Sequence, residues 1–172
     1  VGIDRFARRV RTSDGRAFDY DHLVLATGAR PRALPVPGAG LGGVHALHTY
    51  PDATALTDAL DRARSVAVIG GGFIGLEVAA AARTRGLEVR VLEAGDRVMQ
   101  RAVSPTTSAY YEGLHRAAGT EVTCGALVTE LVGSAGRVTG VRLATGEVVA
   151  ADTVVVGVGV APATGLAEDA GL

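Results

Sequence analysis

The chain has 172 residues, of which 48% are hydrophobic. That is one ordinary domain with enough apolar material for a sizeable core, so general disorder is excluded. Its formal net charge of −1 provides no basic field for nucleic acid or an anionic membrane.

All 17 basic residues are arginine, which removes lysine Schiff-base and P-loop chemistry. Cys124 is the single cysteine, so the chain holds no internal disulfide or redox pair, and it reads as a small buried hydrophobe. No apolar run reaches the ~20 residues of a membrane span, and the N-terminus has no signal-peptide pattern. A cytoplasmic protein without nucleic-acid or membrane partners is the expectation.

In chain order, the segment from Ile3 to Thr12 and that from Ala17 to Tyr20 read as strands joined by an Asp14-Gly15 turn. The apolar run Leu23-Val24-Leu25-Ala26 predicts a third, more buried strand, ending at Thr27-Gly28. Three prolines and four glycines between Pro31 and Gly43 read as a linker and the main domain boundary. The spacing of Ala55, Leu56, Ala59, Leu60 and Ala63 predicts a helix over 51–64, capped by Thr49 or Asp52.

Val66-Ala67-Val68-Ile69 is then a short buried strand. A glycine turn, an alanine-rich helix over 74–85 closed by Gly86, and a second strand over 87–92 follow. Ser104-Pro105 opens a further helix, with Tyr110, Tyr111 and Leu114 as candidate core contacts. Strands are predicted over 121–124, 126–132, 137–143, 147–150 and 153–158. Hairpin turns at Ser134-Ala135-Gly136 and Thr145-Gly146 join three of them.

Gly70-Gly71-Gly72-Phe73-Ile74-Gly75 matches G-x-G-x-x-G. Alone this is a weak pattern, but here it follows a strand and opens a helix, which is the dinucleotide-binding context. A diphosphate needs the unpaired N–H groups and positive dipole of a helix start. A Cβ at Gly72 would obstruct its approach, and Gly75 permits close packing of helix on sheet. Glu93 ends the second strand, 18 residues after Gly75, where an acid ~20 residues on meets the adenosine ribose. A carboxylate there favours NAD(H) over a 2′-phosphorylated dinucleotide. Arg97 and Arg101 lie where a phosphate contact would weaken that preference. Glu77, in the first turn of the helix, is either a dipole-stabilising surface acid or part of the site. The four histidines show no metal-ligand spacing.

Taken together, Leu23-Val24-Leu25, Ala26-Thr27-Gly28, the turn from Gly70 to Glu77 and Val155-Val156-Gly157-Val158-Gly159 resemble the flavoprotein reductases with two dinucleotide-binding domains, related to pyridine nucleotide–disulfide oxidoreductases. Leu92-Glu93-Ala94 with Arg97 and Arg101, and Leu114-His115-Arg116 with Gly119, are similar to bacterial NADH-dependent ferredoxin reductases. The resemblance implies an α/β, Rossmann-like NAD-binding domain with a parallel sheet, an inserted antiparallel meander and a remnant of an adjoining FAD domain. The segments are 1–36, 37–162 and 163–172: FAD-domain part, NAD(H)-binding domain and return linker.

It further implies that Gly70, Gly72 and Gly75 meet the NAD diphosphate and Glu93 the ribose, with Arg101 nearby. Ile74 and Glu77 would lie near the nicotinamide, with Phe73 where relatives keep an aromatic lid. Gly157 and Gly159 would let the last strand approach the nicotinamide end, and Thr27 and Gly28 would face the flavin. No side chain is a catalytic acid or base in this reading. The intact parent would pass hydride from NADH to FAD and electrons to a ferredoxin-type iron–sulfur protein.

The chain departs from the family at His48, where an arginine commonly meets FAD. The first flavin fingerprint and the C-terminal flavin-cradling motif would lie outside these residues. The alternatives are another branch of the superfamily (NADH oxidase, nitrite reductase flavoprotein, apoptosis-inducing-factor-like) or a non-catalytic NAD(H)-sensing module.

Overall fold

The computed structural model describes residues 1–172. They form two compact units, one of Val1–Arg30 with Val160–Leu172 and one of Pro31–Gly159. The segment boundaries read from the sequence lie at 36/37 and 162/163. Leu34 and Val36 pack on the core of the second unit, so the contacts divide a few residues earlier, after Arg30.

In the first unit β1 (Gly2–Asp4), β2 (Arg9–Arg11) and β3 (Ala17–Asp19) form an antiparallel meander. The stretch from Ile3 to Thr12, expected as one strand, is therefore two. The Asp4 carboxylate accepts the N–H groups of Phe6 (3.1 Å) and Ala7 (2.8 Å) and reverses the chain between them. The expected strand at Leu23–Ala26 does not form, and Val24 is 84% exposed. A strand exists only as a ladder partner, and the meander strands pair solely with one another. β4 (Ala29–Pro31) follows.

The second unit begins with β5 (Val44–Ala46), α1 (Tyr50–Leu60), β6 (Ser65–Ile69), α2 (Phe73–Thr84) and β7 (Glu88–Glu93). It continues with α3 (Pro105–Ala117), β8 (Glu121–Cys124), the meander β9 (Val128–Ser134), β10 (Arg137–Leu143) and β11 (Val148–Ala150), and β12 (Thr153–Val156). The main sheet is five-stranded and parallel in the order β5-β12-β6-β7-β8. The meander is a separate antiparallel sheet. Back in the first unit, β13 (Val160–Pro162) pairs with β4 and the short α4 (Gly165–Asp169) ends the chain.

Alternation along the parallel strands decides which layer each residue enters. Val66 and Val68 of β6 join Val89, Val91, Val122 and Val155 beneath Leu56, Leu60, Leu76 and Ala79 of α1 and α2. Ala67 and Ile69, with Leu92 and Val154, face the opposite way onto Leu131, Val141 and Val149 of the meander. Each fully buried Val or Leu contributes roughly 1.5–3 kcal/mol, so β6, buried on both faces, is the anchor from which the glycine turn is hung.

Thr49 caps α1 reciprocally with Asp52, and the Ser104 hydroxyl accepts the N–H of Thr107 to cap α3. Gly86, at φ +79°, ends α2. The expected core contacts of α3 are not core: Tyr110, Tyr111 and Leu114 are 64%, 41% and 47% exposed. This helix is held through polar groups instead. Ser108 is its buried residue, and Arg116 donates to the Val122 carbonyl at 2.6 Å. Cys124 is only partly buried. Burial, then the charges of Glu112 and Glu93, push its thiol pKa up and keep it protonated.

Candidate functional site

The carboxyl ends of β6, β7 and β12 open on a crevice of about 320 Å3 in the second unit. Its lining includes Gly70, Gly72, Phe73, Glu93, Arg101, Gly157 and Gly159 among the expected residues, together with Met99, Gln100 and Leu127. Ligands of open α/β sheets bind at this end of the strands, and the volume lies within the range of small-ligand pockets.

The turn at the end of β6 is built by exclusion of side chains. Gly70 has φ +106°, and a Cβ there would lie 2.4 Å from the Gly157 carbonyl oxygen. A Cβ at Gly75 would lie 2.0 Å from the Gly70 oxygen, so Gly75 is the contact by which α2 lies directly on β6. Gly72 differs, because a Cβ there meets nothing within 4 Å. It is the N-cap of α2 and makes no side-chain cap hydrogen bond. The N–H groups of the first helical turn have no partners within the helix, and no side chain covers them. They form a cradle for an anion beside open space, and a dinucleotide diphosphate fits that donor set.

Glu93 closes the other wall. One carboxylate oxygen accepts the Gly71 N–H at 2.6 Å and the other accepts the Gly95 N–H at 2.7 Å. The side chain is partly buried, and each oxygen retains a lone pair for a further donor such as a ribose hydroxyl. Arg97, considered as a phosphate ligand from the sequence, is instead committed to the protein. Its guanidinium donates to Val103 O (2.9 Å), Gln100 O (2.9 Å) and Ser108 Oγ (2.6 Å). Arg101 lines the crevice and makes no hydrogen bond or ion pair within the chain.

Several expected residues lie outside the lining. Ile74 and Glu77 are exposed on α2, and Gly75 is buried beneath the turn. Thr27 and Gly28 belong to the first unit, where Thr27 Oγ1 donates to Ala163 O at 2.6 Å and Gly28 O accepts the Ala163 N–H at 2.9 Å. The Met99–Ala102 stretch and Leu127 were missed by sequence reasoning apart from Arg101. The available signal was the unusual density of chain punctuation after β7: Gly95, two arginines and no periodic apolar face.

A second cleft of about 420 Å3 in the same unit is lined by His45, Asp58, Arg62, Arg137 and Asp152, among others. Burial and then the charge of Arg137 push the His45 imidazole pKa down.

The sequence profile described as pyridine nucleotide-disulphide oxidoreductase matches residues 1–172. The chain belongs to this family. Rhodocoxin reductase from Rhodococcus erythropolis is 51% identical over 172 residues, which are 100% of this chain and 40% of that protein. The ferredoxin–NAD(+) reductase component of the p-cumate 2,3-dioxygenase system of Pseudomonas putida is 43% identical over 162 residues, 94% of this chain and 39% of that one. The crystal structure of the ferredoxin reductase for the CYP199A2 system from Rhodopseudomonas palustris matches with a TM-score of 0.92 and 47% identity, covering 100% of this chain and 43% of that one. This member of the oxidoreductase family thus spans about 40% of the length of the curated relatives it matches. No helix in it is long and apolar enough to cross a membrane.

Proposed function

We propose that this chain is the NADH-binding part of an FAD-dependent reductase that delivers electrons to a ferredoxin-type iron–sulfur protein. The observation that carries the reading is the uncapped start of α2 at Gly72, open to a crevice whose facing wall ends in the Glu93 carboxylate. The first-turn N–H groups and the dipole of α2 would receive the diphosphate. The free lone pairs of Glu93 would accept the ribose hydroxyls, and the same charge would disfavour a 2′-phosphate. Leu34, Ile69, Leu92 and Val158 supply apolar wall to the crevice.

When bound, NADH would supply a hydride, equivalent to two electrons and a proton, to FAD held by the intact parent. The residues of this chain act by holding and orienting, so none of them is assigned as an acid or base. Thr27 and Gly28 are proposed to face the flavin in the parent, and Ile74 and Glu77 the nicotinamide. Relatives named for ferredoxin and NAD(+) support the choice of partner and coenzyme. A cytoplasmic location belongs to the same proposal.

Titration of the chain with NADH and with NADPH, followed by calorimetry, tests this reading. Tighter binding of NADH is expected. Binding of neither dinucleotide would remove the proposal, and equal affinities would remove the ribose role of Glu93.

A further inference from the structure

Arg97 does not line the crevice, yet the segment that does is wound around it. The connection from β7 to α3 carries Met99 at φ +50°, a left-handed conformation that a non-glycine residue keeps only when its surroundings hold it there. The holding groups are specific. One Arg97 guanidinium ties the carbonyls of Gln100 and Val103, on either side of Arg101, to the Ser108 hydroxyl in α3. Ser108 is 1% exposed and its own hydroxyl donates a hydrogen bond to the Val98 carbonyl at 2.6 Å. The loop is thereby pinned at three carbonyls to the start of one helix.

The same loop grips the glycine turn. The Met99 N–H donates to the Gly71 oxygen at 2.9 Å, while the Gly71 N–H donates to Glu93. Both faces of the Gly71 residue are therefore held, one by the end of β7 and one by the loop. Gln100 also lies against Gly95, where a Cβ would be 2.4 Å from Gln100 Nε2, and Gly95 supplies the second N–H to Glu93. Arg101 follows directly, inside this pinned segment and free of protein partners.

We propose that Arg97 is a positioning residue for dinucleotide selectivity. By fixing the 98–103 loop it holds the diphosphate turn in shape and keeps the Arg101 guanidinium at the crevice, where it offsets part of the repulsion between Glu93 and a 2′-phosphate. The proposal rests on the NADH-binding reading above. A planar fork with several donors is needed to reach three acceptors at once, which a lysine ammonium on its single stem does not reproduce.

The test is calorimetric titration of the chain with NADH and with NADPH, comparing the unaltered chain, Arg97→Ala, Arg97→Lys and Ser108→Ala, with circular dichroism to establish folding. Arg97→Ala and Arg97→Lys are expected to weaken NADH binding about threefold and NADPH binding about tenfold or more, so that the affinity ratio changes. Ser108→Ala, which removes the links of that hydroxyl to Arg97 and Val98 but leaves the Arg97 charge and its two carbonyl contacts, is expected to shift the ratio in the same direction by a smaller factor. If Arg97→Ala does not fold, Arg97→Lys and Ser108→Ala decide the matter. Folded variants with an unchanged NADH-to-NADPH ratio overturn the role of Arg97. An unaltered chain that binds neither dinucleotide overturns the underlying reading instead.

Discussion

The carboxylate of Glu93 accepts the backbone N–H of Gly71 at 2.6 Å, so the acid that ends β7 also fastens the glycine turn that follows β6. The proposed ribose contact and the shape of the turn therefore share one side chain. Glu93→Ala leaves the N–H groups of Gly71 and Gly95 without their acceptors, and losing a hydrogen bond to a charged group costs about 1.5–3 kcal/mol. The expected outcome is an NADH affinity reduced about tenfold or more and a lower melting temperature. Glu93→Gln keeps one acceptor oxygen and is expected to fall between the two. Calorimetric titration and thermal denaturation check this; an alanine variant with unchanged affinity and melting temperature contradicts it.

Gly72 and Gly75 belong to one motif but predict opposite phenotypes. Gly75→Ala drives a methyl group to 2.0 Å from the Gly70 oxygen, and overpacking of this kind costs typically 1–3 kcal/mol or more. A large fall in the denaturation midpoint is expected. Gly72 has an extended backbone that any residue adopts and open space for a Cβ. Gly72→Ala should cost no more than about 1 kcal/mol, the scale of a changed N-cap, while abolishing most dinucleotide binding. A Gly72→Ala chain that binds normally would remove the diphosphate from the start of α2.

The parts legible in the sequence are those that local chemistry dictates. β6, the turn after it, α2 up to Gly86, and β10 follow from an apolar run, glycines with forced geometry and alternation, and they stand within a residue or two of their expected bounds. The cap Ser104 was equally visible, because a hydroxyl just ahead of a helical pattern has one dominant use, and of the two candidates Thr49 and Asp52 the first is the N-cap while the second completes the capping box. What was hidden depends on long-range pairing. Leu23–Ala26 has the composition of a strand and no ladder. Arg97 and Arg101 are the same residue type four apart, and only the fold sends one to three protein acceptors and the other to the crevice. The two bonds from Glu93 to backbone N–H groups carry no sequence signature at all.

The exposure of α3 yields a prediction that apolar content alone would get wrong. Tyr110 and Leu114 are 64% and 47% exposed, and Ser108 is the buried residue of that helix. Tyr110→Ser and Leu114→Gln are each expected to change stability by no more than about 0.5 kcal/mol, the usual range for surface sites. Ser108→Ala is expected to cost about 1–3 kcal/mol, because it leaves the Val98 carbonyl and one N–H of Arg97 without the hydroxyl they bond. Urea denaturation of the three variants checks the order, and a tyrosine or leucine variant less stable than the serine one reverses it.

Stability should depend on His45. Burial and then the nearby Arg137 charge lower its pKa, and Asp58, Arg62 and Asp152 also line its cleft. A histidine whose pKa is lowered in the folded state is neutral there while its unfolded counterpart takes up a proton near pH 6.5. The unfolded chain then binds more protons, so stability falls as pH drops below about 6.5 and is level above it. His115, lowered by burial alone, adds to the same slope. His45→Gln should flatten the dependence of melting temperature on pH between about 7 and 5, and His45→Gln with His115→Gln should flatten it further. An unchanged slope in the double variant would move the acid sensitivity to the carboxylates.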